Sequence, residues 1–214
     1  MPQSTEAPLP WPVRGVYAVT PEGLTGPDLA AAVANAVENG VAAVQYRDKS
    51  ADPARRRRDA AALVAVCRPR RVPLIVNDDV ELAAAAGADG VHLGRDDEAL
   101  AAARARLGDA VTVGVSCYDD AGRARAAARG GADYVAFGSF FPSLTKPGAI
   151  RATTGLAAAV RPSVTVPIVA IGGITAENAP PLLAAGIDLV AIVNAIFGAP
   201  DIGRATRRLV GLFS

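Results

Sequence analysis

The chain has 214 residues, of which 51% are apolar and 5% aromatic, so its core must be filled mainly by Val, Ile, Leu and Ala. Its 22 basic and 21 acidic residues leave a net charge of +1, which gives no case for nucleic acid or an anionic membrane as the main partner. No apolar run approaches the roughly 18 residues that span a bilayer. The first ten residues lack the features of a signal peptide. We therefore expect one large, soluble, cytoplasmic α/β domain.

Two cysteines bear on the redox compartment. Cys67 and Cys117 show neither CxxC spacing nor the spacing of metal ligands. We predict that both are reduced and structural, as in a cytosolic protein, with a disulfide as the alternative.

Apolar strands and helical stretches alternate along the chain. We predict a disordered N-terminal tip over residues 1–12 and a single catalytic domain over 13–214. The first helix is predicted over Pro27–Glu38 and the second over about Pro53–Arg68, with Pro53 near its first position. The predicted strands are Gly15–Thr20, Val41–Tyr46, Val72–Val76, Gly90–Leu93, Val111–Val115, Tyr134–Phe137, Pro167–Ile171 and Leu189–Val193.

An internal repeat supports this count of eight strands. Gly40, Gly87, Gly131 and Gly186 each stand four residues before a strand valine, at intervals of 47, 44 and 55 residues. Each interval fits two strand–helix units. Eight such units predict a single (β/α)8 TIM barrel, with a doubly wound open sheet as the alternative. In either fold, functional residues are expected on the loops that follow the strands.

Basic residues follow the second predicted strand. Gln45, Arg47 and Lys49 occur at every second position, so their side chains point to one side of the chain. Two cations and an amide in this arrangement suit a polyanion such as pyrophosphate, although a solvated strand end is the alternative. The run Arg55–Arg58 lies in a predicted helix, where four consecutive side chains point in different directions, and is expected on an outer solvated face.

Acidic residues follow the third and fourth predicted strands. Asn77 and Asp78 come after the third, and Asp96 and Asp97 after the fourth. Either pair alone could cap a helix or form a turn. Because parallel strands end at one edge of the sheet, the two pairs should lie together, facing the cations of the preceding loop. This arrangement predicts a divalent-cation site, and Mg²⁺ suits one or two carboxylates completed by water and phosphate oxygens.

The middle of the chain contains further polar residues that could belong to the site. His92, inside the fourth strand, is expected to have an apolar or supporting role rather than to act as a general base. Ser116 could donate to a phosphate or cap the next helix, and the sequence does not decide between these roles. The long segment Gly138–Arg151 carries Ser143, Thr145 and Lys146 among glycines and prolines, which suits a closing flap.

The last two strands are followed by a predicted monophosphate site. Gly172 and Gly173 follow the seventh strand, and Asn194 follows the eighth. Glycines leave backbone N–H groups open to close approach, and barrels often hold a phosphate at these two loops.

The motifs together resemble the thiamine phosphate synthase family. The matching segments, in order from Val16 to Ile196, are VYAVT, QYRDK, VNDDVELA, GADGVHLGRDD, VGVSC, GADYVAFGSFFPSLTK, IVAIGGI and AIVNAI. The resemblance implies a barrel transferase of thiamine biosynthesis that uses Mg²⁺. Such an enzyme joins hydroxymethylpyrimidine diphosphate to hydroxyethylthiazole phosphate, forming thiamine monophosphate and releasing pyrophosphate. It further implies that the pyrimidine stabilises a cation when pyrophosphate leaves, and that the thiazole nitrogen captures this cation.

The resemblance also assigns site residues. Asp78 and Asp97 would bind Mg²⁺. The substrate-binding residues would be Gln45 for the pyrimidine, Arg47, Lys49, Asn77, Ser116 and Lys146 for the diphosphate, Gly173, Val193 and Asn194 for the thiazole phosphate, and Ser143 and Thr145 at the flap. Of these, Arg47, Lys49, Ser116 and Lys146 would be catalytic. The chain departs from the family pattern at Arg95, where glutamine is common, at Ser143, where threonine is usual, and at Asn194, where serine is usual.

Two other functions stay open. One is a related barrel that isomerises a thiazole phosphate and never binds a diphosphate, and the other is a non-catalytic barrel that binds phosphate-bearing thiamine precursors. A homo-oligomer is possible, and the sequence does not give the oligomeric state.

Overall fold

The protein is a closed eight-stranded parallel barrel. The computed structural model describes residues 7–94, 100–142 and 152–214. Its strands follow chain order around the barrel, and β8 pairs back to β1. The strands are β1 Gly15–Val19, β2 Ala43–Tyr46, β3 Leu74–Asn77, β4 Gly90–Leu93, β5 Thr112–Tyr118, β6 Tyr134–Gly138, β7 Ile168–Ile171 and β8 Leu189–Ile192. The predicted barrel is therefore confirmed, and the open-sheet alternative is wrong.

Helices surround the strands. In the described ranges they are α1 Gly26–Glu38, α2 Pro53–Cys67, α3 Val80–Ala86, α4 Leu100–Leu107, α5 Ala121–Arg129, α6 Thr154–Val160, α7 Pro180–Ala184, α8 Asn194–Phe197 and α9 Ile202–Val210. The predictions for α1 and α2 agree with these bounds to one residue. Several helices begin at an aspartate whose side chain accepts a backbone N–H, as Asp52 does from Arg55 and Asp201 from Arg204. None of the described helices has the length and apolar character needed to cross a membrane.

Two layers of apolar side chains hold the barrel together. The larger layer lies between strands and helices and includes Leu29, Leu63, Leu74 and Leu182. Both cysteines are buried in this layer as free thiols, so the disulfide alternative is wrong for this structure. The smaller layer fills the inside of the barrel with Tyr17, Val19, Ala43, Ile75, Tyr134, Ala136, Val169, Leu189 and Ala191. This interior is a packed core, as expected for an eight-stranded barrel.

The two ends of the barrel differ. We call the end where the strands finish, at residues such as Tyr46 and Asn77, the barrel mouth, and the end where they begin, at residues such as Gly15, the barrel floor. The first described residues cross the floor before β1. Leu9 N donates to Asp89 Oδ1 (2.8 Å), and the Trp11 ring stacks on Tyr134 at a centroid distance of 3.9 Å.

These contacts differ from the sequence expectation of a disordered tip over residues 1–12. Within the described part of that range, Leu9 and Trp11 are bound to the barrel rather than free. The physical reason is that a large aromatic ring buries apolar area and stacks on a tyrosine, while the buried Asp89 carboxylate requires hydrogen-bond donors.

Candidate functional site

Basic and acidic side chains meet at the barrel mouth after β2 and β3. Lys49 Nζ donates to Asp78 Oδ2, and Asn77 Nδ2 donates to the same oxygen (2.6 Å). The Asp78 carboxylate therefore accepts from a cation of the β2 loop and from its own neighbour. The predicted meeting of Lys49, Asn77 and Asp78 at one edge is present in the structure.

The backbone of the β3–α3 corner separates the roles of two neighbouring aspartates. Asp79 caps α3, because its Oδ1 accepts Leu82 N (2.8 Å), and its Oδ2 accepts Arg56 Nη2 (2.9 Å). Asp78 has a left-handed backbone, with φ of 65°, which asparagine and aspartate adopt more readily than other side-chain-bearing residues. The helix-cap alternative for Asn77 and Asp78 is wrong, since Asp79 takes that role and leaves the Asp78 carboxylate turned toward Lys49.

Arg47 lies beside Lys49 and is held by the β1 loop. Its Nη1 forms an ion pair with Glu22 Oε1 at 2.5 Å, and its backbone N–H donates to Thr20 Oγ1 (2.9 Å). The Glu22 side chain is 56% exposed and the Arg47 side chain 17% exposed, so solvent screens the pair from the Glu22 side. The sequence analysis missed Glu22, because nothing in its local pattern indicates a partner 25 residues away.

Asp48 braces the loop between Arg47 and Lys49. Its Oδ1 accepts Ser50 N (2.8 Å) and its Oδ2 accepts Arg55 Nη2 (2.9 Å). Burial raises the pKa of the Asp48 carboxyl, but the hydrogen bonds from Ser50 and Arg55 outweigh it and hold the pKa below its usual value. Asp48 is therefore an ionised anchor for the loop that carries the two cations.

The arginine run of α2 differs from its prediction. Arg55–Arg58 was expected on an outer solvated face, and Arg57 and Arg58 are exposed there. Arg55 and Arg56 are instead half-buried and bind the β2 and β3 loops through Asp48 and Asp79. The prediction is wrong for these two residues because α2 begins directly beside both loops.

A chain of hydrogen bonds crosses the inside of the barrel. Gln45 Nε2 donates to the Tyr17 hydroxyl (2.7 Å), which shares a hydrogen bond with the Tyr134 hydroxyl (3.0 Å). The Tyr134 hydroxyl lies 2.9 Å from His92 Nδ1, and His92 Nε2 lies 2.8 Å from Ser116 Oγ. The polar chain, as we call Gln45–Tyr17–Tyr134–His92–Ser116, joins a predicted substrate residue on β2 to another on β5.

Burial keeps the tyrosines of the polar chain protonated. It raises the pKa of Tyr17 and of Tyr134 well above the ordinary value for tyrosine, and for Tyr17 hydrogen bonds from Tyr134 and Gln45 offset only part of this rise. Each hydroxyl is thus a neutral group that both donates and accepts. The sequence analysis missed both tyrosines, since a tyrosine within an apolar strand indicates only a core residue.

Ser116 belongs to a strand rather than to a helix cap. β5 continues through Tyr118, with a register shift between Ser116 and Tyr118, and the cap of α5 is Asp120, which accepts Arg123 N (2.9 Å). The cap alternative for Ser116 is therefore wrong. Its hydroxyl lies 2.8 Å from His92 Nε2, and the supporting role expected for His92 stays a prediction.

The loops after β6, β7 and β8 form the other side of the mouth. Phe141 N donates to Gly172 O (3.0 Å), and a Cβ on Gly173 would lie 2.3 Å from Pro142 O, so only glycine fits this approach. Asn178 Nδ2 donates to Gly173 O (2.9 Å) and holds the turn. Val193 and Asn194 directly follow β8, the strand paired with β7. The three predicted thiazole-phosphate residues thus follow two paired strands, with Gly173 in the turn after β7, Val193 between β8 and α8, and Asn194 at the first position of α8. The structure adds Asn178, which the sequence analysis missed.

Four predicted site residues lie outside the described ranges, together with two of their neighbours. They are Asp97, Ser143, Thr145 and Lys146, and the neighbours are Arg95 and Asp96. Across residues 7–94, 100–142 and 152–214, no group of three or more His, Cys, Asp or Glu side chains could hold a metal ion. The described part of the site therefore contributes one predicted metal ligand, Asp78.

Comparisons with known proteins identify the family of the chain. The family described as thiamine monophosphate synthase matches residues 16–196. A thiamine-phosphate synthase of Thiobacillus denitrificans is 56% identical, over 94% of this chain and 95% of its own length. One from Methylococcus capsulatus is 51% identical, over 96% and 92%. The solved thiamine phosphate pyrophosphorylase from Pyrococcus furiosus superposes with a TM-score of 0.84 at 32% identity, over 92% of this chain and 94% of that one. The chain belongs to the thiamine monophosphate synthase family.

Proposed function

We propose that the protein joins hydroxymethylpyrimidine diphosphate to hydroxyethylthiazole phosphate, forming thiamine monophosphate and releasing pyrophosphate. Relatives of about the same length, 56% and 51% identical to this chain, carry the name thiamine-phosphate synthase. The observation that carries the proposal is the meeting of Lys49, Asn77 and Asp78 at the barrel mouth, with Arg47 two residues before Lys49 on the same loop. A diphosphate needs cations and amide donors, whereas a carboxylate among them suits a divalent cation.

Arg47 and Lys49 would bind the diphosphate and stabilise it as it leaves. In this structure each pairs with a carboxylate, Arg47 with Glu22 and Lys49 with Asp78. Both pairs include an exposed partner, so exchange of these carboxylates for phosphate oxygens costs little. Fixed positive charge at the place where negative charge develops is a large source of catalysis, and Lys146 and Ser116 would add to it.

Mg²⁺ would be held by Asp78 together with Asp97. The donor chemistry of the described corner fits such an ion, since Asp78 offers a carboxylate and the diphosphate would offer further oxygens. When bound, Mg²⁺ would neutralise charge on the diphosphate oxygens. Lys49, freed from Asp78, would then turn to the substrate.

The remaining residues would hold the two rings and the second phosphate. Gln45 would contact the pyrimidine and Ser116 the diphosphate, both oriented by the polar chain. Gly173, Val193 and Asn194 would bind the thiazole phosphate through their backbones, while Ser143, Thr145 and Lys146 would close over the site. The carbon–oxygen bond to pyrophosphate breaks with its electron pair leaving on oxygen, and the thiazole nitrogen donates a pair to the same carbon. This exchange needs no general base, because no proton is removed from the nitrogen that attacks.

Pyrophosphate release tests the proposal. The purified protein should release pyrophosphate only when both substrates and Mg²⁺ are present, and thiamine monophosphate should appear in equal amount. Lys49→Ala should lower the rate strongly, while Arg57→Ala, on the exposed side of α2, should serve as the matched control and leave it unchanged.

The same assay separates the two other functions. A barrel that isomerises thiazole phosphate would act on that substrate alone and release no pyrophosphate. A non-catalytic binder would bind thiazole phosphate and turn over neither substrate. Either result would contradict the proposal.

We also place the enzyme in the cytoplasm, on the basis of its two buried free thiols.

A further inference from the structure

Trp11 reaches the barrel interior from the floor. Its ring stacks on Tyr134 with centroids 3.9 Å apart and planes 12° apart, and it meets the edge of Tyr17 at 5.0 Å and 82°. Its Nε1 is buried and has no hydrogen-bond partner among the described residues. Trp11 therefore acts on the two tyrosines through its ring surface, and not through its N–H group.

Tyr134 is confined on several sides. A Cβ on Gly114 would lie 2.0 Å from Tyr134 Cζ, so the ring occupies the space that a side chain at position 114 would need. The His92 ring lies 5.6 Å away at 20°, and the Tyr17 ring 6.0 Å away at 86°. With Trp11 stacked on its face, the Tyr134 ring has little freedom to rotate or tilt.

The Tyr134 hydroxyl is the central link of the polar chain. It hydrogen-bonds Tyr17 toward Gln45 and His92 toward Ser116. A tilt of the ring would therefore disturb both arms at once. Because the groups are buried, a lost hydrogen bond is not replaced easily by water.

We propose that Trp11 is a positioning residue for the pyrimidine diphosphate substrate, acting through Tyr134 on the orientation of Gln45 and Ser116. This inference rests on the proposed function. The proposed thiazole-phosphate residues Gly173, after β7, and Asn194, at the start of α8, lie outside the polar chain. Loss of the Trp11 ring should therefore affect the two substrates unequally.

Steady-state kinetics test this inequality. Trp11→Ala should raise the KM for the pyrimidine diphosphate by about fivefold to tenfold, the size expected for one hydrogen bond, and leave the KM for thiazole phosphate within about twofold. Trp11→Phe should keep both KM values near those of the wild type, because phenylalanine keeps a stacked ring and Trp11 Nε1 makes no hydrogen bond among the described residues. Val13→Ala, at a side chain 77% exposed in the same segment, is the matched control.

A double variant separates positioning from general loss of stability. Trp11→Ala combined with Tyr134→Phe should raise the KM no further than the larger single change, because both act on one chain of contacts. If the KM of the double variant instead rises by the product of the two single fold-changes, the inference is overturned. If Trp11→Ala does not fold, Trp11→Leu keeps an apolar side chain of intermediate size and removes the aromatic stack, so it tests the same point.

One readout needs no activity. His92 is the only histidine of the chain, so its ring nitrogens give a single assignable set of NMR signals. Trp11→Ala should shift these signals, since it loosens Tyr134 against His92 Nδ1, whereas Val13→Ala and Trp11→Phe should leave them nearly unchanged. Unchanged His92 signals in Trp11→Ala would overturn the inference even in an active enzyme. A wild-type protein that releases no pyrophosphate would instead overturn the proposed function, and the His92 signals would still decide whether Trp11 acts on the polar chain.

Discussion

Replacing Asp78 with asparagine removes one negative charge from the β3–α3 corner and leaves the shape of the side chain nearly unchanged. Asparagine also accepts the left-handed backbone found there, with φ of 65°, so Asp78→Asn avoids the strain that alanine would add. The substitution therefore isolates the charge. We expect it to weaken the response to Mg²⁺ and to slow loss of pyrophosphate.

The magnitudes follow from the contacts of Asp78. Its pair with Lys49, whose side chain is 54% exposed, contributes about 0–1 kcal/mol to the free energy of unfolding. Loss of a fixed charge contact in an active site lowers turnover by about 100-fold to 1000-fold. The free energy of unfolding of Asp78→Asn should thus lie within about 1 kcal/mol of the wild-type value, while the variant loses most of its activity.

The assay is pyrophosphate release at rising Mg²⁺ concentration, with urea unfolding measured on the same preparation. Asp133→Asn is a useful control, because its carboxylate lies at the barrel floor, where it accepts Arg104 Nη2 (2.7 Å) and Val113 N (2.7 Å). That variant should lose stability rather than Mg²⁺ response. An Asp78→Asn enzyme with wild-type turnover and an unchanged Mg²⁺ response would refute the metal assignment.

Three further predictions concern other residues. Asp79→Ala removes the α3 cap and the Arg56 pair, so urea unfolding should show a loss of about 1–2 kcal/mol; an unchanged midpoint would contradict the cap. Burial raises the pKa of Cys67 and of Cys117 to about 12, from an ordinary value of 9.0. Both thiols should therefore react slowly with a thiol reagent near pH 8, and stability should fall as pH rises above about 9, where the unfolded chain ionises first; rapid labelling of the native protein would disprove this burial. Lys146→Ala and Asp97→Ala should each lower turnover at least about 100-fold, and near-normal kinetics in either would remove that residue from the site.

Periodicity predicted the eight strand–helix units from the sequence and favoured the barrel, although it left an open sheet as the alternative that only the pairing of β8 with β1 excludes. Parallel strands buried on both faces read as short apolar runs, and the glycines that end the helices recur before every second strand. The largest difference between predicted and observed strand bounds lies at β5. The predicted strand, Val111–Val115, stops three residues before the observed end at Tyr118. The strand continues to Tyr118 because Ser116 and Tyr118 still pair with β6 across a register shift. Polar side chains at a barrel mouth interrupt the apolar run, so the sequence pattern does not indicate this extension.

The candidate site was predictable where its residues are close in sequence. Their spacing and their position after a strand were enough to indicate Arg47 with Lys49, and Asn77 with Asp78. Contacts between distant segments carry no such signal. Glu22 on Arg47 and Trp11 on Tyr134 depend on how loops and the N-terminal segment fold back, and only the closed barrel brings them together.

A crystal structure with pyrophosphate and Mg²⁺ bound tests the central claim most directly. We expect the metal on Asp78 and Asp97, with Arg47, Lys49, Ser116 and Lys146 around the pyrophosphate and Glu22 released from Arg47. Pyrophosphate and metal bound away from the β2 and β3 loops, with the Lys49–Asp78 and Arg47–Glu22 pairs still intact, would contradict it.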